Sequence, residues 1–331
     1  MGVGLKVGLV GVGAWGKNIA RTICEDIPGL ILRRATSTNP EAKKFVGAKC
    51  VVHTDWREML DWNDLDAVFL AVPAKWNLEI ASDVLARRLP VFIEKPVALN
   101  YFDAHQILDI AIANDAIADV DHVDLFNPVL DAMRQEIHGP IKKIFGCIGA
   151  PYPRRTDIKP LWEYSPHLIA VALTLVGSMP VAVKARYLQL DSELIIDTSK
   201  EIVQMVLDFN NGPDVCIEAG NGVMQKIRKI DVYLEDEVLY FVDRAHVPLS
   251  RSPTLNSALR SAIPVHTKTT PLAAALRSFE KKVRVAKPDI SGLIMGVNVV
   301  SILEAVEKSL VTRDWCVIKE GISNEPSGGQ R

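Results

Sequence analysis

Over the first 120 residues, short apolar runs alternate with segments whose apolar side chains recur at helical spacing. The runs Leu5–Val10, Leu30–Thr36, Cys50–His53, Ala67–Val72, Val91–Glu94 and Ala118–His122 predict strands. Between them, Trp15–Glu25, Glu41–Phe45, Trp56–Leu60, Lys75–Leu89 and Phe102–Asn114 predict helices. Such alternation builds right-handed crossovers and a parallel sheet with both faces covered. The unbroken apolar run Ala67–Val72 suits a strand buried on both sides.

After about Val123 the texture changes. Segments near Ile141–Ile148, Val181–Gln189, Ile202–Leu207, Val215–Glu218, Ile230–Leu234 and Val238–Val242 follow one another as strands. Ile230, Val232 and Leu234 alternate with polar residues, as in a sheet with one wet face. Leu272, Leu276, Phe279 and Val283 recur at helical spacing, and Leu293–Leu310 is apolar nearly all round, as in a buried helix. The expected architecture is therefore α/β. Residues 1–122 form a doubly wound parallel sheet, and residues 123–331 form an α+β domain with an open, mostly antiparallel sheet. An open apolar sheet face must be buried somewhere, which makes this domain the candidate interface of a homo-oligomer. The polar segment Gly321–Arg331 reads as a disordered tail.

Composition narrows the function. A chain of 331 residues, 48% hydrophobic, is long enough for two cores of ordinary size. A formal net charge of −2 gives no electrostatic case for nucleic acid or an anionic membrane surface. Leu168–Val183, the most apolar stretch, is interrupted by Gly177, Ser178 and Pro180 and falls short of the roughly 20 residues a bilayer requires. The cysteines Cys24, Cys50, Cys147, Cys216 and Cys316 are scattered without paired spacing, which fits buried thiols in a reducing cytoplasm. His53, His105, His138, His246 and His266 show no metal-ligand spacing, so no metal is expected.

The candidate chemistry begins at Gly11-Val12-Gly13-Ala14-Trp15-Gly16, a GxGxxG that follows an apolar strand and opens a helix. That context separates a dinucleotide fingerprint from an ordinary glycine turn in a flavodoxin-like sheet. Gly11 permits the tight turn, Gly13 lets the backbone approach the pyrophosphate, and Gly16 lets the helix pack close to the strand. Free N–H groups and the partial positive charge at the helix start then face the phosphates, with Ala14 and Trp15 in the turn. The first domain thus reads as a Rossmann domain for NAD or NADP. The fingerprint expects an acid about 20 positions onward to hold the ribose hydroxyls. Here that neighbourhood is Ala35-Thr36-Ser37-Thr38-Asn39-Pro40, without a carboxylate. Ser37 and Thr38 can hydrogen-bond a ribose or a 2′-phosphate without repelling the latter, which tilts the reading slightly toward NADP. Arg33 and Arg34 lie nearby within a strand.

Glu94-Lys95-Pro96 ends the fifth strand, where ligands of open α/β sheets sit. With the glycine fingerprint, with Ala71-Val72-Pro73 after strand four, with Phe126-Asn127-Pro128 and with the closing Pro271-Leu272…Phe279…Leu303-Glu304-Ala305…Ser309 pattern, the chain resembles the Gfo/Idh/MocA oxidoreductases along nearly its whole length. The resemblance implies a two-domain enzyme acting on sugars, cyclitols or their derivatives. It places Ala71, Pro73, Glu94 and Lys95 at the cofactor, and Lys95 beside nicotinamide and substrate. The family's Asp-x-x-x-His motif matches Glu163-Tyr164-Ser165-Pro166-His167, with Glu163 for Asp. Ala170 stands where a further Asp often lies, and Asn77 replaces a histidine common after strand four.

The chemistry asks for the same residue types. Oxidising an alcohol removes a hydride and a proton, so a base must reach the hydroxyl. Histidine titrates in the right range. Glu163 and His167 stand four apart, so on a helix they share a face, and the carboxylate would orient the imidazole. Pro166 would then mark the helix's beginning. The competing reading of His167 is a core histidine hydrogen-bonded at a helix start. Arg154 and Arg155 are candidates for an anionic substrate, against the alternative of a solvated loop. His122 is a candidate for facing the cleft or for packing at the domain junction. Two rival functions remain at this level: an imine- or pyrrole-type reductase on the same scaffold, and a non-catalytic sensor of the dinucleotide. A sensor would need neither Lys95 nor His167.

Overall fold

The computed structural model describes residues 4–152, 155–188, 200–253, 259–265 and 269–322. The chain divides into two compact units, one of Met1–Val123, Thr269–Val300 and the segment from Ile322, the other of Asp124–Lys268 and Ser301–Gly321. The expectation that everything after residue 122 forms one domain is thus corrected. The stretch from Thr269 to Val300 joins the first unit.

In the first unit the strands are β1 (Leu5–Val10), β2 (Leu30–Thr36), β3 (Val51–His53), β4 (Ala67–Leu70), β5 (Val91–Glu94) and β6 (Ala118–Asp121). The helices between them are α1 (Gly16–Asp26), α2 (Trp56–Asp61), α3 (Asn77–Ala86) and α4 (Tyr101–Ala113). All strand pairings are parallel, in the order β3-β2-β1-β4-β5-β6. The order reverses between β1 and β4, so the crevice where ligands bind opens at their carboxyl ends. The helix starts follow local chemistry. Asp55 accepts from Arg57 N–H at the start of α2, and Asn100 accepts from Asp103 N–H at the start of α4. The predicted helix Lys75–Leu89 is shorter, because a single tight turn over Ala74–Trp76 follows Pro73 and Arg88 takes a positive φ of 57° at the other end.

The second unit holds α5 (Pro128–Gln135), β7 (Lys143–Gly149), α6 (Pro160–Val176), β8 (Ala182–Tyr187), β9 (Ile202–Asp208), β10 (Asp214–Gly220), β11 (Ile227–Tyr233), β12 (Val238–Val242), β13 (Leu249–Ser252) and β14 (Ser261–Ala262). Helix α7 (Pro271–Val285) belongs to the first unit, α8 (Ser291–Thr312) runs through both, and β15 (Cys316–Val317) returns to the second. The nine strands form one sheet in the order β14-β13-β12-β11-β7-β10-β9-β8-β15, antiparallel except for β7 with β10. Helix α6 packs on β7 and β10. A side chain at Gly146 would collide with Leu168, so the helix lies close over the middle of β7. The opposite face carries Lys143, Phe145, Gln204, Glu218, Lys229 and Asp231, more charged than the apolar face expected from sequence.

Two expectations change. Pro166 does not begin the helix: α6 starts six residues earlier at Pro160 and keeps Pro166 inside, buried. Proline there removes the hydrogen bond to the Trp162 carbonyl and crowds that carbonyl with its ring, and the apolar burial of Leu161, Trp162, Leu168 and Ile169 holds the helix. Of the thiols, Cys50, Cys147 and Cys316 are buried as expected, whereas Cys24 is exposed and Cys216 half-buried. The Gly321–Arg331 tail lies outside the described residues from 323 onward. No described helix is long and apolar enough to cross a membrane.

Placing α7 with the parallel sheet has a measurable consequence. Phe279 sits against Phe69 of β4 and Phe92 of β5, with ring centroids 5.3 to 5.5 Å apart. All three rings are buried, at most 1% exposed. Phe279→Ala is expected to cost about 3–5 kcal/mol, the usual loss for an emptied aromatic site. Chemical denaturation should show the lower midpoint. An unchanged midpoint would mean that α7 is not part of this core.

Candidate active site

The glycine turn joins β1 to α1 at the switch point of the sheet. Each of its glycines answers a different constraint. Gly11 has a φ of 95°, and a Cβ there would lie 2.4 Å from the Ala71 carbonyl oxygen. A Cβ on Gly16 would lie 2.0 Å from the Gly11 carbonyl oxygen. At Gly13 nothing stands within 4 Å, so its backbone faces open space of the kind a phosphate needs. Helix α1 has no side-chain cap and no acid in its first turn. The N–H groups of Lys17 and Asn18 already bond the Gly13 and Trp15 carbonyls, so an anion here would meet the backbone of the turn itself and the positive end of the helix, and the open space at Gly13 fits a dinucleotide pyrophosphate. Gly13→Ala should leave the unfolding temperature of the protein alone within a degree or two while weakening dinucleotide binding. Gly16→Ala should lower that temperature by itself. Thermal shift with and without cofactor separates the two.

At the end of β2, Ser37 donates its backbone N–H to the His53 carbonyl, and its Oγ accepts from Asn39 N–H at 3.1 Å. The hydroxyl proton of Ser37 stays available to an acceptor. Arg33 and Arg34 do not serve this end. Arg34 is 3% exposed, paired with Asp64 through Nε at 2.6 Å and Nη2 at 2.8 Å, and stacked over Trp62. Arg33 pairs with the same carboxylate at 3.4 Å.

On the other side of the switch point, Asn77 of α3 is buried and donates Nδ2 to the carbonyls of Pro96 and Val97, at 3.2 and 3.1 Å. It thereby fixes the chain that carries Lys95, which is joined to Pro96 by a cis peptide bond. Glu94 lies in register with Asp121 of β6. Burial, then the Asp121 charge, push the Glu94 carboxyl well above the ordinary carboxylate range. Trp15 of the glycine turn donates Nε1 to Asp121 Oδ2 at 3.3 Å, so turn and strand ends form one connected edge. His122, next along the chain, is 3% exposed.

In the second unit, His167 lies in the second turn of α6, 12% exposed. The carboxylate beside it is not the one expected. Asp124, 2% exposed, places Oδ2 2.7 Å from His167 Nδ1, and its Oδ1 pairs with Arg228 of β11. Glu163 shares the helix but reaches toward Arg155, 3.8 Å away. Arg155 is half-exposed and bidentate on Asp157, with Nε at 3.0 Å and Nη2 at 2.6 Å, so its charge is already engaged within its own loop. Arg154 lies outside the described residues. The only sequence sign of Asp124 was an acid inside the apolar stretch His122–Phe126, just before the Asn127-Pro128 helix start.

A parallel sheet in this strand order, with a glycine turn open to a pyrophosphate at its switch point, defines a dinucleotide-binding Rossmann protein. Residues 5–122 match the model of the Gfo/Idh/MocA oxidoreductase family, NAD-binding Rossmann fold, and the chain belongs to that family. A protein of Magnetospirillum magnetotacticum MS-1, whose crystal structure carries a provisional oxidoreductase name, is 30% identical, with 91% of this chain and 99% of that one covered at a TM-score of 0.83. UDP-N-acetylglucosamine 3-dehydrogenase of Acidithiobacillus ferrooxidans is 22% identical over 174 residues, 52% of this chain and 54% of that protein. Inositol 2-dehydrogenase 4 of Saccharopolyspora erythraea is 26% identical over 151 residues, 44% of this chain and 43% of that protein. The chain thus spans about half the length of the curated relatives it matches.

Proposed function

We propose that this chain is an NAD(P)-dependent oxidoreductase that transfers a hydride between nicotinamide and a secondary alcohol or ketone of a sugar, cyclitol or nucleotide sugar. The observation that carries the reading is the buried Asp124 carboxylate set against His167 Nδ1. A histidine held in that way has one tautomer favoured, with Nε2 left as the basic nitrogen. That is the arrangement of a general base, and it argues against a packing histidine. Gly11, Gly13 and Gly16 with the start of α1 would hold the pyrophosphate, and Ser37 and Thr38 the adenosine ribose. The nicotinamide, when bound, supplies or accepts the hydride. His167 takes the hydroxyl proton on oxidation and returns it on reduction. Lys95, its backbone fixed by Asn77, polarises the reacting oxygen with its ammonium group. The chain would assemble as a homo-oligomer through the outer face of the nine-stranded sheet, a reading that sedimentation tests directly.

The direct experiment is calorimetry with the four forms of the cofactor, followed by a screen of sugars and cyclitols read at the reduced-nicotinamide absorbance. Absence of heat with all four forms would sink the reading. With Arg33 and Arg34 engaged elsewhere, Ser37 decides the choice between NADP and NAD. Ser37→Asp should lower the ratio of kcat/KM with NADP to that with NAD by at least about tenfold, because a carboxylate accepts both ribose hydroxyls and repels a 2′-phosphate. An unchanged ratio would remove Ser37 from the ribose.

A further inference from the structure

The face of the second unit's sheet that lies under α6 can be traced residue by residue. Gly146 is under Leu168 of that helix, so Ile144, Gly146 and Ile148 of β7 point to the helix side. Directly opposed residues of an antiparallel pair point to the same side. Ile230 opposes Gly146, and Arg228 opposes Ile148, which puts Arg228 on the face that carries His167. Arg228 meets Asp124, and Asp124 meets His167.

Arg228 is not the only cation there. Its carbonyl accepts from Asp243 N–H at 2.9 Å, which fixes the chain just past β12, and the next residue is Arg244 in a left-handed conformation with φ 60°. Lys226 precedes β11 by one residue. Partial burial, then repulsion from Arg244 and Arg228, hold the Lys226 ammonium below its usual range. The nearby acids are Asp243 and Asp124, and Asp124 is already shared between His167 and Arg228. Lys226 and Arg244 are exposed and, among the described residues, enter no side-chain hydrogen bond or ion pair, and the buried Arg228 Nε has no acceptor. Three cations with unused donors thus stand around one acid, Asp124, that His167 already shares.

We propose that Lys226, Arg228 and Arg244 form an anion subsite next to His167 that binds the phosphate or carboxylate of the substrate. The proposal rests on the reading of His167 as the base and narrows the substrate from any sugar or cyclitol to an anionic one. Lys226 and Arg244 grip the anionic group at the rim. Arg228 supplies Nε from below while keeping its hold on Asp124. The two sources of such an anion are the diphosphate of a nucleotide sugar and the carboxylate of a sugar acid.

The test is calorimetric titration of the protein saturated with its dinucleotide, so that the glycine cradle does not capture the probe. The probes are uridine diphosphate, glucuronate and, as the neutral control, glucose. One of the two anions should bind and glucose should not, with affinity falling as salt rises. Lys226→Gln and Arg244→Gln should each weaken the binding roughly 10-fold or more, the loss expected for a charged hydrogen bond. Both variants should leave dinucleotide affinity and unfolding temperature unchanged. Binding of uridine diphosphate alone assigns the phosphate, and binding of glucuronate alone assigns the carboxylate. Failure of both anions, or equal binding by wild type and the double variant, overturns the subsite and leaves the oxidoreductase reading intact. Failure of dinucleotide binding overturns the oxidoreductase reading. The subsite is then decided by the same variants with uridine diphosphate on the unloaded protein.

Discussion

His167→Ala is expected to lower kcat on the order of 100- to 10,000-fold while dinucleotide affinity stays within a few-fold of wild type. Deleting a positioned general acid/base has that typical cost. It corresponds to roughly 3–5 kcal/mol of transition-state stabilisation at about 1.4 kcal/mol per tenfold. Lys95→Met should fall in the same range, because its ammonium is the group assigned to polarise the reacting oxygen. Steady-state kinetics on the true substrate, paired with calorimetry on the cofactor, measures both effects. The pH profile adds a discriminating readout. Alcohol oxidation by wild type should rise as pH rises through the titration of the base, and that limb should vanish in His167→Ala. A variant that kept turnover within a few-fold of wild type would make His167 a packing residue and leave the proton to Lys95. The same experiment separates an enzyme from a dinucleotide sensor, since a sensor has no turnover for either residue to support.

The parts of this molecule that were legible in the sequence are those set by neighbours in the chain. The fingerprint at Gly11–Gly16 is local: strand, turn and helix follow one another, and Gly16 meets its constraint within the turn, at the Gly11 carbonyl. The first-unit strands fall close to their predicted bounds for the same reason, since an apolar run buried on both faces depends little on register. Interactions between distant segments were not legible. Arg34 reads as a strand residue with an open choice of faces, and only the fold brings Asp64 and Trp62 to it. Asn77 looks like a missing histidine, yet its amide holds the backbone of the Lys95 turn nineteen and twenty residues away. Helix α7 carries an amphipathic pattern that fits any sheet. Its position in the first unit depends on Phe279 meeting Phe69 and Phe92. The Asp124 contact was illegible for the same reason. Helical spacing places Glu163 on the face of His167, but spacing alone does not reveal that Asp124, far along the chain, is buried against the imidazole.

That last difference yields the second large effect. Asp124→Asn should reduce kcat on the order of 100-fold or more, whereas Glu163→Gln should stay within a few-fold of wild type. The reason is the proton on Nδ1. A carboxylate oxygen 2.7 Å from Nδ1 stabilises by its charge the imidazolium formed when Nε2 takes the substrate proton. An amide can present its NH₂ instead, which favours the opposite tautomer and removes the basic nitrogen from the substrate side. Asp124 acts through His167, so it is a positioning residue, and its signature differs from a merely structural one. In the pH profile of kcat, Asp124→Asn should move the titration of the base to lower pH, because the charge that favoured the imidazolium is gone. KM should change far less than kcat. Asp124→Glu should recover part of the rate if its longer carboxylate still reaches Nδ1. Asp124→Ala is the less informative variant, since it leaves Arg228 with an uncompensated charge at a largely buried position, and the fold itself then loses about 3–5 kcal/mol. If Asp124→Asn and Glu163→Gln exchanged places, with the glutamate variant slow and the aspartate variant near wild type, then the imidazole would be oriented along the helix, and Asp124 would be a partner of Arg228 alone.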